Sequence, residues 1–556
     1  MEHGHFHAPS LRICRAVMIL LAALVWGVTV KYDFVWDDHY FIIDNTAIRS
    51  LKNVPAMFYS RIAEASHPNE FPNFRPIRNV AYAILFKLGG KDTPQPWIFH
   101  LANVLGHTVA ALLVFATAAL LFRAAGEAPA RWAALLTGAA FAVHPTVSEV
   151  VCWAKSLDDI LAAIFVLAAA RELLLWRGEK TRIAAALVFY ALAMYAKESA
   201  VPFAGLVFFL WRVCHKLPWK RCAGMTVPFF LVAGIYVAHR AWMLGQAAQC
   251  APISGSYGQT LLDTIPALSI YFRLLWGIPP FSIDYTDMHG HLPFFSLPVM
   301  TGLLLLVLWA ATTCTAWRRE EFRPAALGLL WLAFFLLPVS NLVPMMQYLA
   351  ERFLYLPLIG WLLALGAIWA HAPRRLLNLV LAAALFALWM PVSIAREAFW
   401  RNEVTLFVRN SLDNPANKRL RENAVAAIFA LPQLNSAFSL DDKTRHLQAA
   451  ASISRRQADA LLPTLSQAHR LLPEDHRITA ALGISYAMAG QISEAVPYLE
   501  LAARQGTNDT QCWIDLGSAY ALETNTAKAR QAWEMALRLE PTNRLAAEHL
   551  RALNAK

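Results

Sequence analysis

The chain has 556 residues, 57% of them hydrophobic and 16% charged, with a mean hydropathy of +0.41. That is too apolar for a water-soluble domain with an ordinary surface, so a bilayer is the expected solvent. The formal charge of +11 does not mark a nucleic-acid partner, because the Lys and Arg residues of the first two-thirds cluster in short loops between apolar runs.

Apolar runs near the roughly 20 residues that cross a hydrocarbon core recur as far as residue 393, and the remaining residues alternate polar and apolar. Two domains are expected, 1–393 in the membrane and 394–556 outside it. The candidate spans, about eleven, are 11–30, 98–122, 132–143, 160–176, 183–196, 200–213, 225–243, 297–317, 325–338, 353–370 and 376–392. Arg12 and Arg15 precede the first run as in a signal peptide, but no small-x-small cleavage pattern follows it, so it is read as an uncleaved span. The segment 261–276 is apolar enough to span, yet counting it would turn Arg318 and Arg319 outward. It is read as re-entrant or interfacial.

With eleven spans, the basic clusters at Arg123 and Arg131, Arg177 to Arg182, Lys216 to Arg221, Arg318 to Arg323, and Arg374 and Arg375 all fall on one side. Basic loops stay cytoplasmic. The loop 31–97 and the tail are then extracytoplasmic. Seven cysteines (Cys14, Cys152, Cys214, Cys222, Cys250, Cys314 and Cys512) contain no CxxC pair, so neither a disulfide framework nor a cysteine metal site is indicated.

Immediately after the first span, Asp37 and Asp38 lie between Trp36 and Tyr40. Adjacent carboxylates repel, and burial against aromatics would raise one pKa toward a general base's range. The same pair could instead cap a following interfacial helix. Other polar groups recur at the same ends of the spans: Arg75 and Arg78, His144 and Glu149, Asp158 and Asp159, Lys197 and Glu198, Glu351 and Arg352. A charge at mid-membrane costs on the order of 3 kcal/mol, so such residues face a protein interior or cavity. A cationic pocket beside a carboxylate base suits a donor whose leaving group is a lipid phosphate, the developing charge being met by Arg352, Lys197 or Arg75. There is no Walker P-loop, Rossmann glycine motif or HExxH.

In the tail, Trp513, Leu516, Gly517, Tyr520, Ala529, Trp533, Ala536 and Pro541 match the signature of a 34-residue tetratricopeptide repeat. One period earlier come Leu482, Gly483, Tyr486, Ala495, Leu499 and Ala502, and Ala468 and Pro473 keep the phase one period before that. Stacked helix pairs of this kind make a groove that commonly binds extended peptide or another protein.

These residues together resemble the transmembrane and tetratricopeptide-repeat-containing protein O-mannosyltransferase family of C-type glycosyltransferases, in a bacterial-type form. The resemblance rests on Trp36-Asp37-Asp38 with Asn45, Phe74-Arg75-Pro76, His100 with Asn103 and His107, and His144-Pro145 with Glu149. It continues through Trp153 with Asp159, Lys197-Glu198, Asp284-Tyr285, Glu351 to Pro357, and Trp400 to Phe407 with Pro415 and Asn417. It implies an all-α fold, a polytopic helix bundle followed by a tetratricopeptide α-solenoid. It also implies an inverting transfer of sugar from a polyprenyl-phosphate carrier to hydroxyls of exported proteins. The acidic pair falls on Asp37 and Asp38, with Asp37 favoured as base and Asp38 supporting it or holding a divalent metal such as Mg or Mn. Arg352, Lys197, Arg75, Tyr355 and Glu351 become donor-site residues, and His144, Glu149, Lys155, Asp159, Glu198 and Asp284 candidate cavity lining. Where the family usually has Arg two residues before Asp159, this chain has Leu157, with Lys155 nearby. Either Lys155 substitutes or the sugar differs.

Two other readings stay open: transfer to a lipid or surface-glycan acceptor, and a non-catalytic membrane scaffold whose repeats hold a partner. Few sequons and a compact first loop point to a bacterial inner membrane with periplasmic repeats, or to the ER membrane if the cell is eukaryotic.

Overall fold

The computed structural model describes residues 7–60, 73–245, 252, 254–285, 292–345, 347, 349–372, 375–414, 416–429 and 455–554. No β-strand occurs among them. The chain forms two compact units, Met1–Asn402 and Glu403–Lys556.

The first unit contains α1 (Leu11–Trp26), α2 (Pro76–Gly89), α3 (Pro96–Leu121), α4 (Glu127–Val143), α5 (Ser148–Cys152), α6 (Leu157–Leu175), α7 (Lys180–Ala196) and α8 (Phe203–Cys214). It continues with α9 (Trp219–Leu244), α10 (Tyr257–Thr264), α11 (Ala267–Leu275), α12 (Leu297–Arg318), α13 (Arg323–Leu336), α14 (Tyr355–His371) and α15 (Arg375–Glu397). Each of the expected spans corresponds to a helix, but length and composition qualify fewer of them as spans. Seven described helical segments are long and apolar enough to cross a membrane, or eight if α4 and its continuation Pro145–Cys152, bent by 46°, count as one. The remainder fall short for identifiable reasons. α7 has 17 residues and α8 has 12, and α6 carries Asp158, Asp159, Arg171 and Glu172 within its 19. The first loop also holds a helix that the apolar pattern did not announce, α2, opened by Pro76 in its first turn and closed by Gly90 at φ +68°. A left-handed closing residue is cheap only for glycine.

The segment 261–276 is broken at Pro266 into α10 and α11, of 8 and 9 residues. At 1.5 Å per residue neither reaches across a core of about 30 Å. The expected domain boundary after residue 393 falls inside α15. That helix stays with the membrane unit because Ser393 donates to the Val143 carbonyl at 2.7 Å and Arg396 pairs with Glu351 at 2.7 Å.

α14 lies at the centre of this unit: 72% of its spanning segment is buried, against 17% for that of α12. The outer faces carry the opposite signature, with Phe230, Leu231 and Ile235 of α9 all more than half exposed. Side chains this apolar are at home against lipid tails, and the protein is a multi-pass membrane protein. Between α13 and α14 the backbones touch. A Cβ on Gly328 would lie 2.6 Å from both the Gly360 carbonyl and the Ala364 amide. Small residues that let helices approach this closely replace the hydrophobic drive that lipid cannot supply.

The second unit is a series of helices: α16 (Glu403–Asp413), α17 (Lys418–Phe429), α18 (Arg455–Leu471), α19 (His476–Met488), α20 (Ile492–Gln505), α21 (Thr510–Leu522), α22 (Thr526–Leu539) and α23 (Arg544–Asn554). The 34-residue register appears in the backbone as well as the core, since Asp475 and Asp509, 34 positions apart, cap α19 and α21 through their side chains. Gly517 faces the Trp533 indole and Gly483 faces Leu499, so a side chain at either glycine would have to displace that neighbouring side chain. Of the residues quoted for the family pattern, Pro415 lies outside the described residues, as does Arg374 of the basic clusters.

Candidate active site

The chain leaves α1 through a tight turn, Gly27–Lys31, anchored by the Trp26 indole on the Ala142 carbonyl at 2.8 Å. The next residues are pinned on both sides: the Asp33 amide donates to the Arg401 carbonyl at 3.1 Å, and the Trp153 indole donates to the Val35 carbonyl at 3.3 Å. Trp36 then adopts φ +57°, an unfavourable conformation for a residue with a bulky side chain. What holds it is a face-to-face stack on Trp153, with centroids 4.7 Å apart and planes 9° from parallel. Strain of this kind, of order 1–3 kcal/mol, persists only where the surroundings impose it.

The turn separates the two carboxylates. Asp38 is fully buried and accepts from the backbone amides of Val35 at 2.9 Å and Lys155 at 2.8 Å, so it fastens the first loop to the turn between α5 and α6. Burial drives its carboxyl up to about 8, against the opposing pull of those two amides. Asp37 keeps 24% of its side chain exposed, and the Lys155 ammonium stands 4.0 Å from it. Lys155 lies over the rings of Trp153 at 4.5 Å and Phe41 at 5.3 Å, and burial brings its pKa down to about 8. Arg352 approaches the same ring, its guanidinium 5.5 Å from the Trp153 centroid.

The cations expected to await a phosphate are paired with carboxylates of the chain itself. Arg75 bonds Asp158 at 2.7 Å and grips Glu198 through two nitrogens at 2.6 and 3.0 Å. Burial alone would raise the Glu198 pKa, and the Arg75 guanidinium instead holds it well below the usual carboxylate range. Lys197 bonds Asp159 and lies 3.6 Å from Asp158, and Arg78 is 3.8 Å from Asp158. Arg352 pairs with Glu149, which also accepts the Arg352 amide at 2.8 Å, and with Gln347. Arg75, Arg78, Lys155, Lys197 and Arg352 therefore face Asp37, Asp158, Asp159, Glu149 and Glu198. The expected cationic pocket is closer to a balanced ionic network, because unmatched charge buried at a membrane boundary is costly.

Other expected site residues belong to the packing around this network. The Tyr355 hydroxyl is bonded to His107 Nδ1 at 2.8 Å inside the bundle. His144 contacts the Leu275 carbonyl at 3.2 Å and the Trp389 ring. Glu351 accepts from the Ser282 amide at 2.6 Å, from the Tyr285 hydroxyl at 3.1 Å and from Arg396. Asp284 is buried beside them, its carbonyl accepting from the Ser282 hydroxyl at 2.6 Å. Arg396 was missed. Its only sequence signal was a charge following an apolar run, which reads equally well as a span end.

A divalent metal was expected, if anywhere, on Asp38, whose two oxygens each accept a backbone amide. Among the described residues, the cluster of three side chains placed to share a cation is His476, Asp509 and Cys512, in the repeat unit. There Asp509 already caps α21 and bonds His476 at 3.2 Å.

No family model matches the chain. Curated protein O-mannosyltransferases are similar to it. Protein O-mannosyl-transferase Tmtc1 of Drosophila melanogaster is 30% identical over 172 residues, covering 30% of this chain and 18% of that protein. A protein O-mannosyl-transferase of Caenorhabditis elegans is 23% identical over 418 residues, covering 73% of this chain and 59% of its own length. The chain thus spans less than two-thirds of the curated relatives it matches. Among solved structures, an Archaeoglobus fulgidus oligosaccharyltransferase, in complex with an inhibitory peptide and a dolichol-phosphate, aligns with a TM-score of 0.40 and 14% identity. That alignment covers 74% of this chain and 58% of that one.

Proposed function

We propose that the protein is a membrane glycosyltransferase that moves a sugar from a polyprenyl-phosphate carrier to hydroxyls of exported proteins. The observation that carries this reading is Asp37, a partly exposed carboxylate held on the Trp36–Trp153 stack beside Lys155 and close to the approach of Arg352. The similarity to curated protein O-mannosyltransferases supports it.

Asp37 takes the proton of the acceptor hydroxyl as that oxygen attacks the anomeric carbon. The bond from that carbon to the phosphate oxygen breaks on the opposite face, and configuration inverts. The phosphate leaves as an anion and needs no proton; Lys155 and Arg352 meet its charge by charge-assisted hydrogen bonds. Lys155 then substitutes for the family's Arg at Leu157. Arg75 and Lys197, held by Asp158, Glu198 and Asp159, set the shape of the site, and the repeat unit presents the acceptor.

Purified protein with a labelled polyprenyl-phosphate sugar and a mixture of exported proteins tests this. Asp37→Asn is expected to lower the transfer rate by about 10²-fold or more, in the range of a lost general base. Lys155→Gln is expected to slow transfer by a similar factor, on the scale of one lost oxyanion donor. Transfer by Asp37→Asn at the wild-type rate would reject the assignment.

A further inference from the structure

At the end of the membrane unit remote from Asp37, α1, α3 and α6 part around a cavity of about 300 Å³. α3 begins beside the Asp33 turn, through His100, and its 26 residues carry it roughly 39 Å away, so the recess and the candidate active site occupy opposite ends of the same helices. Leu11, Leu112, Phe115 and Leu175 supply apolar wall, and the side chains of Arg15 and Arg171 line the same space. Arg15 is exposed and makes no ion pair among the described residues. Arg171 is 3.3 Å from Glu172, but Glu172 is also bound by Arg182 at 2.8 Å, and Arg182 in turn lies 3.9 Å from Glu179, so the ion-pair partner of Arg171 is a carboxylate it shares. The recess therefore combines apolar wall with an excess of positive charge where helices leave the membrane.

An apolar recess open to hydrocarbon is filled by a lipid chain, and arginines at a membrane boundary attract a phosphate headgroup. We propose that this recess binds an anionic phospholipid, with an acyl chain against Leu112 and Phe115 and the headgroup phosphate between Arg15 and Arg171. The net charge selects the lipid. A zwitterionic headgroup would bring its own cation toward two arginines that share little counter-charge, whereas an anionic one relieves their repulsion. This site is independent of the transfer reaction proposed above and stands or falls separately from it.

Titration of the full-length protein in detergent with phosphatidylglycerol or phosphatidylcholine, followed by native mass spectrometry and thermal unfolding, reads the site directly. Phosphatidylglycerol is expected to bind at least tenfold more tightly than phosphatidylcholine and to raise the unfolding midpoint further. Arg15→Gln combined with Arg171→Gln should abolish that preference. Arg12→Gln, which removes an exposed charge from the same turn of α1 outside the recess, should keep it. Leu112→Trp, which fills the recess with both arginines in place, should weaken binding as the double variant does and guards against a variant that simply misfolds. Equal affinity for the two lipids, undiminished binding by Leu112→Trp, or a loss in Arg12→Gln as large as in the double variant would overturn the site in favour of diffuse surface charge.

Discussion

Asp37 and Asp38 are adjacent in the chain yet have opposite surroundings: one faces partly outward beside an ammonium, the other is sealed between two backbone amides. Their substitutions should therefore fail differently. Asp38→Asn places an amide nitrogen against one of two backbone N–H groups, and an unsatisfied buried donor costs about 1–3 kcal/mol. We expect it to lower the unfolding midpoint measurably, whereas Asp37→Asn unfolds like wild type. The pH dependence carries the same distinction. The Asp38 carboxyl lies at about 8 in the folded chain against 3.8 for the free group, so the folded state holds the extra proton between those values. Its contribution to stability is complete below 3.8 and is lost as pH rises toward about 8. Midpoints of wild type and Asp38→Asn measured from pH 5 to pH 8 should converge as pH rises. A constant gap would show that Asp38 does not titrate in that window.

At the scale of elements, what was readable in the sequence was local. Apolar run length located the long helices, and the spacing of Gly517, Tyr520, Ala529 and Trp533 set the repeat register, because each pattern lies within one helix or two consecutive ones. α2 was hidden because its 14 residues fall short of the roughly 20 of a span and include Arg78, Asn79 and Lys87. The pairing of Lys197 with Asp159, of Arg352 with Glu149 and of Arg396 with Glu351 joins residues 38, 203 and 45 positions apart. Nothing local encodes such choices, so neighbouring charges such as Lys197 and Glu198 were grouped together although each has its partner elsewhere. The α13–α14 contact gives a prediction at this scale. Gly360→Val forces a side chain against the backbone of α13, where no flexible group can yield. It should destabilise the membrane unit by at least the 1–3 kcal/mol of an overpacked core, read as a lower unfolding midpoint in detergent. An unchanged midpoint would mean that the two helices separate easily.

At the scale of the whole molecule, a membrane unit with a polar site at one boundary is joined to a helical repeat unit, and the proposed function gives each a separate task. Gly517→Leu would drive α21 from α22 by displacing Trp533, and is expected to reduce transfer to protein acceptors at least tenfold while leaving binding of the labelled donor unchanged. Loss of donor binding as well would argue against that division of labour. The most direct measurement is site mapping of sugars on exported proteins by glycopeptide mass spectrometry, comparing cells that make the wild-type chain with cells that make Asp37→Asn at equal abundance. Hydroxyl-linked sugar is expected on exported proteins in the first and is expected to disappear in the second. Identical protein glycosylation in both, with the change confined to lipid or surface-glycan fractions, would contradict it.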